Sequence, residues 1–271
     1  MMFFIYFLFV FLLLLFCYWY FSKMNTPTIV INRYNEDLSW LKDVRKDPSI
    51  YIYNKGESLD ATTIPYHSKV KDVPNIGRET EGYLRFMIEE YDTLQNDSYY
   101  IFLQGNPVDH SKQIIDKIHH LCSTCKSPFI HLGDLVCVDC DQIMDHTPSY
   151  YLKLHSSFIH SRSQSVYNKN GVLFCNIIPD RNVKMKLINE KFIQKRKARI
   201  DLYQKFFTKT PNIFNWSEGA LFAVKGYRIK QYPKSYYIEL RNELLNRKEE
   251  DLGFLYERIW CMLFFHGKWN Q

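Results

Sequence analysis

The 271-residue sequence lacks a second long apolar run. No stretch after residue 21 reaches the roughly 18 uncharged apolar residues that a membrane-spanning helix needs, which excludes a protein with several spans. With 10 Gly, 10 Pro and 46% hydrophobic residues, it also lacks the composition of collagen, of a disordered chain or of a coiled coil. No internal repeat or long low-complexity linker is present. One apolar segment and one domain of ordinary size remain.

The apolar segment comprises residues 1–21, which carry no charge; the first charged side chain is Lys23. As a helix it would span roughly 30 Å, the thickness of a bilayer's hydrocarbon core. It has neither the basic start nor the small-residue cleavage site of a signal peptide. Tyr18, Trp19 and Tyr20 gather at one end, where aromatic rings favour the membrane interface. The sequence predicts a transmembrane anchor over residues 1–22, in contact with the lipid bilayer through residues 1–21.

The side of the membrane is open at this stage. Lys23 and Arg33 follow the predicted span, which favours a cytosolic domain. Two glycosylation patterns, which begin at Asn96 and Asn215, fit a lumenal domain instead. We therefore expect a single-pass membrane protein, with the folded domain over residues 26–271 on an undetermined side.

Short apolar runs alternate with segments of helical periodicity. Strands are predicted over residues 28–33, 49–53, 98–103, 171–178 and 220–224, and helices from Leu38 and over residues 79–94, 184–207, 236–246 and 253–265. This alternation is typical of a single α/β domain with a mixed, mostly parallel sheet. In such sheets, ligands bind at the carboxyl ends of the strands.

The densest polar cluster directly follows the first predicted strand and includes Arg33, Asn35, Glu36 and Asp37. It suits a nucleotide or sugar, because Arg can fork onto phosphate and carboxylates can bind ribose. The alternative is a capped helix start with a surface salt bridge. Judged by this motif alone, that alternative is favoured.

A second cluster, with Asn75, Arg78 and Glu79, precedes the helix predicted over residues 79–94. Backbone N–H groups and an Arg at a helix N-terminus form a natural anion site. Favourable placement of Glu79 in the first turn explains part of the pattern without a ligand.

A third cluster, with Gln104, Asp109 and His110, follows the strand predicted over residues 98–103. Asp109 and His110 are suited to a divalent ion or to sugar hydroxyls, and a simple polar turn is the alternative. Farther on, Glu218 precedes an apolar strand as a candidate general base. Glu257 and Arg258 lie inside an apolar helix, where a structural ion pair is the favoured interpretation.

Residues 122–140 contain two Cys-x-x-Cys pairs, a spacing that is typical of a four-thiolate zinc site. The candidate ligands are Cys122, Cys125, Cys137 and Cys140. Zinc is favoured in the cytosol and disulfides in an oxidising compartment. The overlapping pair Asp139 and Asp141 is a candidate for Mn²⁺ or Mg²⁺ that bridges a diphosphate.

A basic amphipathic segment over residues 184–209 carries much of the net charge of +6. The simplest interpretation is the solvated face of a core helix, and a membrane-surface helix is the alternative. No nucleic-acid partner is expected, since no recognised binding module accompanies the charge.

Six motifs occur in fixed order between Arg33 and Trp260: RYNEDLSWL, YNKG, PNIGRE, FLQGNPVDH, EGALFAV and ERIW. This pattern resembles that of a family known only as a domain of unknown function. The order of elements in turn resembles that of GT-A-type glycosyltransferases. The pair Cys122 and Cys125 is not part of the pattern and is interpreted as an insertion.

The second resemblance implies roles for the polar clusters. Nucleotide binding would involve Arg33, Asn35, Glu36 and Asp37, with Asn75, Arg78 and Glu79 beside them. The metal and donor-sugar region would involve Gln104, Asp109 and His110. Glu218 would be the acceptor-side base, supported by Glu257 and Arg258. The segment FLQGNP lacks the acidic pair usual for this class, so either Asp139 and Asp141 replace it, or the enzyme needs no metal, or the protein is not a transferase.

The expected function is that of a membrane-anchored glycosyltransferase, which transfers a sugar from a nucleotide-sugar donor to a hydroxyl of a glycan or protein acceptor. A divalent cation (Mn or Mg) and a structural zinc ion are the expected cofactors. The alternative is a non-enzymatic, membrane-tethered module that binds a glycan or a protein and contains a structural zinc site.

Overall fold

A computed structural model of the chain describes residues 6–12, 26–44, 48–121, 127–133, 135–139, 150–154, 184–187, 213–246 and 252–265. Residues 6–12 are helical. Within these ranges, no helix is both long enough and apolar enough to cross a bilayer. Most of the predicted anchor over residues 1–22 lies outside the described residues, so the anchor stays a prediction.

The described part of the chain contains ten strands. In chain order they are β1 (Thr28–Arg33), β2 (Ser49–Asn54), β3 (Lys69–Asp72), β4 (Tyr99–Gln104), β5 (Phe129–His131), β6 (Leu135–Asp139), β7 (Tyr150–Leu154), β8 (Lys184–Leu187), β9 (Ile213–Ser217) and β10 (Phe222–Lys225). The α-helices are α1 (Arg78–Glu89), α2 (Ile114–Leu121), α3 (Gly226–Ile229), α4 (Lys234–Asn246) and α5 (Leu252–Phe265). Short 3-10 turns cover Ser39–Asp43, Ala61–Thr63, Pro107–Asp109 and Glu218–Ala220.

Six strands form the main sheet, in the order β3-β2-β1-β4-β10-β5. Strands β3, β2, β1 and β4 are parallel, whereas β10 is antiparallel to both of its neighbours. In the central register, Ile31 of β1 pairs with Ile52 of β2 and Leu103 of β4. The remaining four strands form an antiparallel sheet in the order β8-β7-β6-β9.

Side chains on both faces of β1 and β4 are buried, as expected for central strands that are covered on two sides. Val30 and Phe102 point into a core that includes Tyr83 of α1 and Trp260 of α5. The alternate residues, such as Ile31, face a second core that includes Ile114 of α2. The period-two alternation of strand side chains therefore directs β1 toward α1 and α5 on one face and toward α2 on the other.

The expected mixed α/β sheet is confirmed, as are the strands predicted over residues 28–33, 49–53 and 98–103. Helices α1, α4 and α5 lie where periodicity predicted them, although α1 ends at Glu89. The helix predicted from Leu38 is a 3-10 turn, and the strand predicted over residues 220–224 begins at Phe222.

The helix predicted over residues 184–207 is wrong at its start, because Lys184–Leu187 is strand β8. The segment KMKL alternates polar and apolar residues, which suits a strand. The rest of that helix and the strand predicted over residues 171–178 lie outside the described residues.

Candidate functional site

The strand order defines a crevice between the carboxyl ends of β1 and β4. From β1 the sheet continues outward through β2 and β3 on one side and through β4 on the other. In open α/β sheets, ligands bind outside the carboxyl ends of the strands where the order reverses in this way. Strand β10 is antiparallel to β4 and begins at the same edge, so the turn Glu218–Ala220 reaches this crevice.

Arg33 ends β1, but its guanidinium is directed into the protein. It donates hydrogen bonds to the carbonyls of Glu36 at 2.9 Å and Glu57 at 2.9 Å and to Asn54 Oδ1 at 2.7 Å. Residue Arg33 is only 9% exposed. These contacts join the loops after β1 and β2, so the geometry favours a structural role over the predicted phosphate contact.

The next three predicted residues stabilise the same loops. Asn35 Oδ1 accepts a hydrogen bond from the backbone N–H of Glu57 at 2.8 Å, and Glu36 Oε2 accepts one from the backbone N–H of Tyr34 at 2.6 Å. Asp37 accepts hydrogen bonds from the hydroxyl and backbone N–H of Ser39, which lower the pKa of its carboxyl. Asp37 therefore stabilises the start of the 3-10 turn Ser39–Asp43, whose N-cap residue, Leu38, makes no side-chain capping hydrogen bond.

Glu36 also approaches the end of β4. A Cβ atom added at Gly105 would lie 2.5 Å from Glu36 Oε2. The loops after β1 and β4 therefore touch, and Trp40 Nε1 donates a hydrogen bond to the Gly105 carbonyl at 2.9 Å. These contacts define one wall of the crevice.

Helix α1, which packs against β1, begins with a left-handed turn. Gly77 and Arg78 both have positive φ angles, of 63° and 51°. The buried amino group of Lys55 donates hydrogen bonds to the carbonyls of Ile76, at 2.6 Å, and Arg78. Burial lowers the pKa of Lys55 to about 8, with nearby Glu81 opposing the shift. Lys55 therefore fixes the backbone that presents Arg78, whose own side chain is 49% exposed.

Glu81 anchors this turn from inside α1. Its carboxylate, which is fully buried, lies 3.6 Å from Lys55 and accepts hydrogen bonds from Arg85 of the same helix and Arg241 of α4. Burial by itself would raise the pKa of Glu81, but the two arginines and Lys55 hold it below its ordinary value. The start of α1 is thus tied both to the end of β2 and to α4.

Gln104, His110 and Glu218 meet around the backbone of Gly219. Gly219 has a φ angle of 70°, and a Cβ atom added there would lie 2.6 Å from His110 Cδ2 and 3.3 Å from Gln104 Nε2. His110 Nδ1 lies 3.9 Å from Glu218 Oε2. The Glu218 carboxylate raises the pKa of His110 against the opposing effect of partial burial. Both side chains are partly exposed, which suits groups that contact a ligand.

Glu257 of α5 supports this turn from beneath. Its Oε1 atom accepts a hydrogen bond from the Gly219 N–H at 2.8 Å, and the residue is 8% exposed. Glu79 of α1 lies nearby: burial raises the pKa of Glu79, and the charge of Glu257 raises it further. Two carboxyl groups from different helices therefore lie close enough to influence each other, and one of them, Glu257, holds the Gly219 N–H.

Sequence comparison gives the chain a family. It matches a family described as "Protein of unknown function (DUF3431)" over residues 29–270. The chain belongs to this family. The predicted membership in a family of unknown function is thereby confirmed. No curated protein and no solved structure matches the chain.

The structure brings together only some of the candidate residues of this DUF3431 protein. Gln104, His110, Glu218 and Glu257 converge, whereas Asn75 and Asp109 are exposed on the loops that follow β3 and β4. Arg258 follows Glu257 in α5, and its side chain lies outside the described residues.

The predicted metal ligands mostly lie outside the described part of the DUF3431 chain. Cys137 and Asp139 belong to β6, with side chains that are not described, and Cys122, Cys125, Cys140 and Asp141 fall outside it entirely. Among the residues that the structure does describe, no group of three or more His, Cys, Asp or Glu is arranged to hold a metal ion.

Sequence reasoning missed Lys55 and Asn32. Lys55 lies in the YNKG turn, where a cation after a strand signals only a surface loop. Asn32 is buried near the end of β1, directly before the polar cluster that begins at Arg33. In both cases the missing information was the tertiary position of α1.

Proposed function

We propose that this protein is a membrane-anchored glycosyltransferase, which transfers a sugar from a nucleotide-sugar donor to a hydroxyl group of a glycan or protein acceptor. The observation that carries the proposal is the meeting of Gln104, His110 and Glu218 around Gly219, at the crevice where the strand order reverses. The crevice is where an α/β sheet of this order binds nucleotides.

The donor diphosphate would bind at the start of α1. Its first backbone N–H groups and the exposed side chain of Arg78 offer an anion site. The Glu218 carboxylate raises the pKa of His110, which favours the protonated ring as a hydrogen-bond donor in the crevice. Arg33 is left out of this assignment, because its hydrogen bonds to the loops already use its guanidinium.

Glu218 would act as the general base. Its carboxylate accepts the proton of the acceptor hydroxyl as that oxygen attacks the anomeric carbon, and the nucleoside diphosphate leaves with the bonding electron pair. Glu257 would be a positioning residue. It accepts a hydrogen bond from the Gly219 N–H and so holds in place the turn that carries Glu218.

The proposal also includes Mn²⁺ or Mg²⁺ at Asp139 and Asp141, zinc at the four cysteines and contact with the bilayer through residues 1–21. The described residues do not include a fitting group of metal ligands.

A ligand screen tests the nucleotide-sugar assignment. The full chain in mild detergent is heated with nucleotide sugars and with the matching nucleoside diphosphates, with and without Mn²⁺. We expect one nucleotide series to raise the unfolding temperature. If the temperature is unchanged across the whole panel, the enzyme assignment fails and the tethered binding module becomes the better explanation.

Glu218→Gln tests the base once a donor is known. Loss of a general base lowers turnover by about 10²- to 10⁴-fold, and donor binding should persist. Glu239→Gln, a substitution at an exposed position of α4, is the matched control and should leave turnover unchanged. Wild-type turnover in Glu218→Gln would remove Glu218 from the mechanism.

A further inference from the structure

Three buried polar side chains beside the candidate site have unpaired hydrogen-bonding atoms within the described part of the chain. They are both polar atoms of the Asn32 amide, the Tyr83 hydroxyl and the Trp260 indole N–H. Each of the three residues is 5% exposed or less. Because buried polar groups in proteins are almost always hydrogen-bonded, three unpaired groups in one region call for an explanation.

The three residues surround one junction of β1, α1 and α5. Asn32 faces α1 so closely that a Cβ atom added at Gly82 would lie 1.8 Å from Asn32 Oδ1. Tyr83 follows Gly82, and its ring centre is 6.2 Å from that of Trp260. Because Gly82 has no side chain, Asn32 can approach the backbone of α1 this closely. Glycine is otherwise unfavourable inside a helix.

The same junction adjoins the acidic side of the candidate site. Glu79 and Glu257 lie one helical turn before Tyr83 and Trp260, on the same sides of α1 and α5. Burial raises the pKa of Tyr83, and the charges of Glu79 and Glu257 add to the shift. The Tyr83 hydroxyl is therefore close enough to the carboxylate that holds Gly219 to be influenced by its charge.

We propose that Asn32, Tyr83 and Trp260 form the inner wall of a subsite for a hydroxyl-rich ligand, which under the proposed function is the sugar of the donor. An amide and a phenol both donate and accept hydrogen bonds, an indole donates and carboxylates accept, which matches the needs of sugar hydroxyls. The three side chains are buried in the ligand-free chain, so binding of the sugar has to expose them. This assignment rests on the proposed function.

The first test compares two buried asparagines in the ligand-free protein. Asn54, 1% exposed, is hydrogen-bonded to Arg33, Glu57 and Asp72, whereas the amide of Asn32 is unpaired. Replacing an unpaired buried amide by an apolar group of similar size relieves a desolvation cost. We expect Asn32→Leu to unfold at the wild-type temperature or above, and Asn54→Leu several degrees lower. An equal loss in both variants would make Asn32 a structural residue and overturn the inference.

The second test measures binding by calorimetry, with UDP-glucose, UDP-galactose, UDP-N-acetylglucosamine and GDP-mannose, each beside its free diphosphate. We expect the preferred nucleotide sugar to bind more tightly than its diphosphate. Asn32→Leu should reduce that advantage by about tenfold, the size expected for one lost hydrogen bond, and leave diphosphate affinity unchanged. An unchanged advantage in Asn32→Leu would overturn the subsite while leaving the proposed function intact.

If no nucleotide binds, thermal unfolding with free glucose, galactose and mannose at high millimolar concentration tests the subsite separately. A rise in unfolding temperature that Asn32→Leu abolishes would support the sugar site without the transferase. No rise with any hexose would overturn it.

Discussion

The imidazole of His110 and the carboxylate of Glu218 combine partial exposure with mutual electrostatic influence. Their backbone support is unusual, since Gly219 and Ala220 both have positive φ angles, of 70° and 53°. Non-glycine residues rarely adopt this conformation, and strained backbone clusters at functional sites. At the scale of single residues, therefore, conformation and titration both single out the turn Glu218–Ala220.

Removing the Glu218 charge should lower the pKa of His110 toward its ordinary value of 6.5. Because the pKa is raised in the folded chain, the pair stabilises the protein fully below the ordinary histidine pKa. This contribution is lost as pH rises through the raised value. NMR titration of the His110 ring in Glu218→Gln measures the shift.

Asp109→Asn is the control for this titration, since Asp109 makes the smallest of the contributions that raise the His110 pKa. We expect a smaller decrease than in Glu218→Gln. Equal decreases in the two variants would contradict a specific His110–Glu218 pair.

At the scale of elements, the start of α1 is held by charges from two other parts of the fold. Lys55 after β2 binds the carbonyls of Ile76 and Arg78, and Arg241 of α4 binds Glu81 inside α1. Such buried networks are costly when one partner is removed, since the remaining charge loses its compensation. The anion site proposed at this helix start therefore depends on contacts remote from any ligand.

Lys55→Met should lower the free energy of unfolding by about 2 kcal/mol or more, through two unpaired carbonyls and a less compensated Glu81. Lys71→Met is the control, because it removes the ion pair between Lys71 and Glu89, in which the Lys71 side chain is 52% exposed. The control should cost only about 0–1 kcal/mol. Urea unfolding of both variants measures the difference, and similar losses would show that Lys55 has no special role.

Periodicity predicted the positions of β1, β2, β4, α1, α4 and α5, because each buries a regular apolar pattern that is visible in local sequence. Lys69–Asp72 was missed because β3 is an exposed edge strand without such a pattern. Arg33 was predicted as a phosphate ligand, but the loop of residues 54–57 lies close enough to engage it. Local sequence contains no information about that distance, which depends on the register of β1 against β2.

At the scale of the whole molecule, the site draws on distant parts of the chain. The ends of β1 and β4, the start of α1, the turn before β10 and helix α5 all contribute, across residues 33 to 257. The convergence of Glu218 with His110 follows from the antiparallel insertion of β10 beside β4. Mixed strand direction is a property of the complete sheet, so neither local sequence nor the resemblance predicted this pairing.

The predicted anchor is tested by cell fractionation. Alkaline carbonate extraction should leave the full chain in the membrane pellet and release a variant that lacks residues 1–22. The exposed Asn96 reports the side of the membrane: a glycosidase-sensitive shift in gel mobility, lost in Asn96→Gln, indicates a lumenal domain. Release of the full chain by carbonate would contradict the anchor.

The direction of β1 separates the candidate site from the start of the described domain. This strand begins at Thr28, soon after the predicted anchor, and its six residues run toward the crevice. At about 3.3 Å per residue it extends roughly 20 Å. An anchored domain would thus present the crevice on the end remote from its tether, facing acceptors that approach from the aqueous phase.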